Sequence, residues 1–106
     1  LFSLVPSICF QGHTHVPGVF TCDYRFVRPC EIGAGYRVGD PSQRVMVNVG
    51  SVGQPRDGDP RSCYVVYDGQ SIEFRRVEYD VEKTVRAIEA EPDLDDFLGH
   101  RLREGR

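Results

Sequence analysis

The chain changes its hydrophobic period once, and that switch limits the folds open to it. Up to Tyr79 the apolar residues stand in short runs bounded by glycine and proline, the pattern of strands. Ser7–Phe10, Val19–Cys22, Tyr24–Val27, Arg44–Val49, Ser62–Tyr67 and Ser71–Glu78 are the β-like segments. Asp68-Gly69 joins the last two, and such a pair accepts the positive φ angles of a tight hairpin. Beyond Tyr79 the spacing turns helical. Asp80 is suited to cap a helix in which Val81, Val85 and Ile88 recur on one face through about Glu91, where Pro92 stops it. Asp93 is placed to cap a second helix, with Leu94, Phe97, Leu98 and Leu102 on one side and an end near Gly105. Gly99 weakens the interior of that helix.

Strands first and two helices last make a mixed α/β (α+β) arrangement, and 106 residues suit one domain. Several strands are apolar on both sides, as in a sheet covered on both faces. Two short amphipathic helices cannot supply both covers, so the sheet expects further polypeptide or a partner, with self-association as one outcome. Leucine at position 1 and the lack of a start-like segment read the same way, as the tail of something longer. The region from Arg28 to Ser42 carries two prolines and three glycines, which predicts loop with at most a short strand near Tyr36–Val38.

Charge and length exclude several classes. A net charge of −3 leaves no basic field for a nucleic-acid backbone. The apolar stretch Leu1–Phe10 is interrupted by Pro6, is too short to span a bilayer, and lacks the flanks of a signal peptide. Cys9, Cys22, Cys30 and Cys63 show no CxxC spacing, which argues against a closed zinc site; they read as buried free thiols in a reducing cytoplasm.

Chemistry concentrates in two places. The first is Gly12-His13-Thr14-His15, directly after the apolar run ending at Phe10. In an extended backbone, residues two apart share a face with Cβ atoms ~7 Å apart, so both imidazoles could reach a pair of metal ions about 4 Å apart. Thr14 would then point the other way. Two neutral imidazoles cannot hold such a centre alone, because carboxylates are needed to balance and bridge the ions. The second place is the segment from Asn48 to Arg61, a glycine-punctuated loop where backbone N–H groups, Ser51 and Arg56 could meet an anion. Asp57 and Asp59 stand in a Gly/Pro-rich setting that favours turn formation over ligation. His100 reads as a solvated helix residue without a catalytic part.

At these residues the sequence resembles the C-terminal half of a calcineurin-like metallophosphoesterase, in the small bacterial and archaeal branch of phosphodiesterases and serine/threonine-type phosphatases. Gly12-His13-Thr14-His15 is similar to that family's last metal motif, GHTH, and Val16-Pro17 follows it as often occurs in the branch. The stretch from Asn48 to Tyr64 resembles NPGSVGQPRDGDPRASY, with Val49 in place of proline and Ser62-Cys63 in place of Ala-Ser. The finish from Leu98 to Arg106 is similar to an RLxxGR ending. The resemblance implies a four-layer αββα sandwich, of which residues 1–106 would form the C-terminal portion of a single domain. It implies two divalent metal ions (manganese, iron, zinc or similar), with His13 serving one and His15 the other, and hydrolysis of a phosphoester substrate by water that the ions activate. The family's DxH, GDxxD and GNH[DE] motifs and its separate histidine have no counterpart here, so the isolated chain is expected to be inactive without an N-terminal half. The competing reading is a non-enzymatic β-rich interaction module whose histidines are structural or bind a single metal.

Overall fold

The computed structural model describes residues 1–106. Seven strands and three helices follow in the order β1 (Ile8–Gln11), β2 (Gly18–Thr21), β3 (Phe26–Val27), α1 (Pro29–Ile32), β4 (Tyr36–Arg37), β5 (Val45–Asn48), β6 (Ser62–Tyr67), β7 (Ser71–Val77), α2 (Val81–Glu89) and α3 (Phe97–His100). Short 3₁₀ turns stand at Phe2–Leu4 and Arg101–Glu104. The class is the mixed α/β one read from the period switch, mostly strands with the longer helix after them. No helix is long and apolar enough to cross a membrane.

The strands form two sheets. One has the order β1-β5-β2-β3, with β5 parallel to β1 and antiparallel to β2; the other has the order β4-β7-β6 and is antiparallel throughout. Strand alternation sends Val45 and Val47 to one face of the first sheet, where they join Val19 and meet Ile72 of the second in a fully buried cluster. Ile8, Val65 and Phe74 pack around it. The core is therefore the seam between two sheets. All four residues of β5 are buried, as suits an interior strand flanked on both edges.

The opposite face of the first sheet is also apolar. Phe20 pairs with Met46 and with Phe26 in the ladder, and the two phenylalanine rings lie 4.6 Å apart between centroids while each residue stays 37% exposed. Only 17 of 106 residues are buried, and the radius of gyration is 16.0 Å. A compact chain of this length would have about 13 Å.

Four details differ from the sequence reading. The stretch 29–32 is helical because Pro29 presets φ at the first position and the Glu31 carboxylate accepts the Arg28 N–H at 2.7 Å. The second C-terminal helix begins at Phe97, not after Asp93: Asp95 accepts the Phe97 N–H at 2.8 Å, and Leu94 and Phe97 remain exposed. Gly99 strengthens that helix's packing, since a Cβ there would stand 3.2 Å from Val85 Cγ1; its absence lets α3 approach α2 closely. Among the cysteines only Cys63 is buried, whereas Cys22 and Cys30 are exposed on loop and helix surfaces. The cap at Asp80, which accepts the Lys83 N–H, and the hairpin at Asp68-Gly69 stand as read.

Candidate metal centre

Parallel pairing of β1 with β5 sets Gln11 opposite Asn48, so the two following loops leave the sheet at the same end. The C-terminal ends of parallel strands are where open α/β sheets place their ligands. One loop is the histidine turn, residues 12–17. The other is the long loop 49–61.

The histidine turn is not extended. Thr14 N–H closes a three-residue turn onto the Gly12 carbonyl at 3.1 Å, and φ is +76° at His13 and +62° at His15. The face-sharing geometry expected of a strand therefore does not apply; a γ-turn centred on His13 replaces it. Positive φ at a non-glycine residue costs about 1–3 kcal/mol, and histidine is among the types that tolerate it best. Two such residues within one turn must be held by their surroundings.

Asn48 does much of that holding. It is fully buried at the end of β5, donates from Nδ2 to the Gly12 carbonyl at 2.9 Å and to Thr14 Oγ1 at 2.8 Å, and accepts the Gly50 N–H on Oδ1 at 3.0 Å. One side chain thus ties both loops together. The Thr14 side chain is turned to this amide.

The long loop fixes His15 from the other side. His15 Nδ1 donates to the Gln54 carbonyl at 2.8 Å, and the His15 carbonyl accepts the Arg56 N–H at 3.1 Å. A carbonyl oxygen only accepts, so the proton sits on Nδ1 and the lone pair sits on Nε2. His13 is exposed and makes no side-chain hydrogen bond within the chain. Ser51 Oγ accepts the Gln54 N–H at 2.9 Å, which shapes the loop and leaves the hydroxyl hydrogen free to donate.

Arg56 is exposed, donates to Gln54 Oε1 at 3.0 Å and lines a cavity of about 640 Å³ that neither histidine reaches. Asp57 and Asp59 are held by arginine. Asp57 pairs with Arg76, while Asp59 takes a forked pair from Arg61, Nη2 to Oδ2 at 2.7 Å and Nε to Oδ1 at 3.0 Å, and accepts the Arg61 backbone N–H, a turn-forming arrangement. The Arg61 hydrogen bonds hold the Asp59 carboxyl below the usual carboxylate range, against a smaller opposing effect of burial. Burial pushes the Cys63 thiol up beneath the loop. No three His, Cys, Asp or Glu side chains come together in the chain. His100 pairs with Glu89 at 3.1 Å on the exposed helical surface.

Sequence reasoning placed Asn48 at the head of the second candidate segment without a role, and it missed the Gln54 carbonyl. The first had a signal, a polar side chain ending the apolar run Val45-Met46-Val47 just before a glycine. The second is a backbone atom brought to His15 by the fold, and no side-chain pattern announces it.

No family model matches the chain. It is 36% identical over 102 residues to an uncharacterized protein of Methanocaldococcus jannaschii, covering 94% of this chain and 40% of that relative. The crystal structure of a metallophosphoesterase from Sphaerobacter thermophilus is similar with a TM-score of 0.76 and 38% identity, over 93% of this chain and 42% of that one. The chain spans about two fifths of the length of these proteins.

Proposed function

From this likeness to a metallophosphoesterase, which holds in fold and in sequence over nearly the whole chain, we propose that the segment supplies His13 and His15 as ligands to two divalent metal ions of a phosphoester hydrolase. The observation that carries the reading is the 2.8 Å hydrogen bond from His15 Nδ1 to the Gln54 carbonyl. A metal-ligating histidine characteristically donates its other ring N–H to a carbonyl or carboxylate, which sets the tautomer and the ring's direction. His13, with neither ring nitrogen engaged, is open to ligate through either. The strained turn that presents both rings fits a functional site better than a plain connection, since such strain gathers where geometry is put to use.

Divalent ions, when bound, acidify water and polarise phosphoryl oxygens, the chemistry required for phosphoester hydrolysis. This chain's own share is to present two neutral nitrogens from a braced turn. Balancing carboxylates come, in this reading, from the rest of the full-length protein, because Asp57 and Asp59 are committed to arginine. The same polypeptide would cover Phe20. A mixed nitrogen and oxygen donor set suits manganese, iron or zinc. Four free cysteines suit a reducing cytoplasm.

The test is manganese-dependent hydrolysis of bis(p-nitrophenyl) phosphate by the full-length protein and its His13→Ala and His15→Ala variants. Each variant is expected to lose at least ~100-fold in kcat/KM, the scale set by losing a group that organises a catalytic ion. Near-normal rates in either would overturn the ligand assignment. The interaction-module reading draws on the exposed apolar face of the first sheet. It predicts at most one metal ion per full-length chain, where the hydrolase reading requires two, and elemental analysis decides.

A further inference from the structure

The cavity beside the long loop has a charge pattern that the metal reading does not use. Four guanidinium groups line it, from Arg28, Arg56, Arg61 and Arg76, against two carboxylates, Asp57 and Asp59. Arg61 and Arg76 are matched to those carboxylates, and Arg76, with its side chain only 14% exposed, also donates to the carbonyls of Asp59 and Arg61. This wall is internally neutral. Arg28 and Arg56 have no carboxylate partner within the chain, which leaves the cavity a surplus of two positive charges on a protein of net charge −3.

A guanidinium fork matches phosphate oxygens in pairs, and a site that holds two unpaired forks over a neutral wall selects a multiply charged anion. The volume, about 640 Å³, lies in the range of small-molecule sites. Val16 and Pro17 add apolar lining, and they directly follow His15 in the chain. The Arg56 N–H on the His15 carbonyl gives the cavity and the histidine turn a common wall.

We propose that this cavity binds a phosphate-bearing anion of small-molecule size through Arg28 and Arg56, at a site separate from the histidine nitrogens. The proposal goes beyond the metal reading and does not depend on it. Full-length protein stripped of metal with EDTA is titrated by calorimetry with p-nitrophenyl phosphate and, separately, with inorganic phosphate. Saturable one-to-one binding is expected, undiminished in the His13→Ala/His15→Ala variant and at least tenfold weaker in Arg28→Gln/Arg56→Gln. Both arginines are exposed and lie outside any ion pair, Arg56 giving only a surface hydrogen bond to Gln54 Oε1, so the double variant should unfold close to the wild-type temperature. Arg75→Gln, whose guanidinium pairs with Glu73 outside the cavity, should bind as the wild type does. Tighter binding of the aryl ester would assign the site to organic phosphates and equal affinity to the free ion, and either supports it. Absence of saturation below 10 mM (about 100-fold weaker than a 0.1 mM site), indifference to the arginine pair, or loss of binding with the histidines would each overturn it.

Discussion

The histidine turn presents its side chains on two left-handed non-glycine residues, whereas the long loop facing it places its positive φ angles at Gly50 and Gly58, where they are unstrained. The supports differ in the same sense. In the turn, Gly12 and Thr14 are tied by one buried amide, Asn48, and His15 by the Gln54 carbonyl and the Arg56 N–H. The long loop is held at many points: Ser51 within it, Arg76 and Arg61 across it, and the chain's last residues, where the Gly105 carbonyl accepts the Gly58 N–H at 3.1 Å. Residue 105 has a φ of +66°, and a Cβ there would fall 2.7 Å from the Asp59 nitrogen. A strained turn, braced by Asn48 and by the two bonds that His15 makes to the long loop, is thus leaned against a relaxed loop held at many points. The contrast locates precision in the first and rigidity in the second.

That contrast breaks if the two loops respond alike to losing one hydrogen-bonding side chain. Asn48→Ala removes three hydrogen bonds and strands the buried Gly50 N–H, at an expected cost of about 2–4 kcal/mol in the stability of the full-length protein. Ser51→Ala removes one bond from a half-buried site and should cost about 0.5–1.5 kcal/mol. Denaturant midpoints at constant slope measure both. Equal losses would show that the turn has other supports and that Asn48 is not its anchor.

Much of this architecture was legible before any coordinates. The hairpin at Asp68-Gly69 follows from local turn chemistry, the Asp80 cap from a side chain acting three residues away, and β5 from its β-branched run. Each depends on contacts close in sequence. The misread features depend on contacts distant in sequence. Gly99 looks like a helix weakener until Val85 is brought against it. The extended reading of residues 13–15 fails because Asn48, more than thirty residues away, stabilises a turn that local preference disfavours. The GHTH resemblance drew attention to the histidines, but nothing in the linear order of Arg28 and Arg56 announces that they line one cavity. Exposure of Cys22 and Cys30 is of the same kind, since cysteine's general tendency to be buried says nothing about which thiol meets the core.

Acid sharpens the contrast from the other side, because ionised carboxylates support the long loop and not the turn. The Arg61 hydrogen bonds, helped by the charges of Arg76 and Arg61, hold the Asp59 carboxyl below its ordinary value near 4. A folded value below the unfolded one means that the stabilising contribution is complete above the unfolded value and is lost as pH falls through the folded one. Wild-type Tm should therefore fall between pH 5 and 2 by more than that of Asp59→Asn, which lacks this titration (window set by ordinary carboxylate pKa values of about 4). Some acid sensitivity persists in the variant, since Asp68 is lowered by backbone hydrogen bonds from Ser71 and Gln70. Equal losses in both proteins would remove Asp59 from the loop's support.

The smallest expected effect is the most direct reading of how the two loops cooperate. If the relaxed loop orients a ring of the strained turn, His15 and His13 must differ as neutral imidazoles. The Gln54 carbonyl holds the proton on His15 Nδ1, and a net hydrogen-bond contribution of about 1 kcal/mol biases the tautomer roughly fivefold. His13 has no such partner and should average between its two tautomers. Long-range proton–nitrogen correlation spectra of the metal-free full-length protein, taken where both rings are neutral, should show a protonated Nδ1 and a bare Nε2 for His15 alone. Zinc addition should then move the His15 Nε2 resonance and leave its Nδ1 proton in place. A His15 ring protonated on Nε2 would mean that the long loop does not aim it, and the rigidity of that loop would need another explanation.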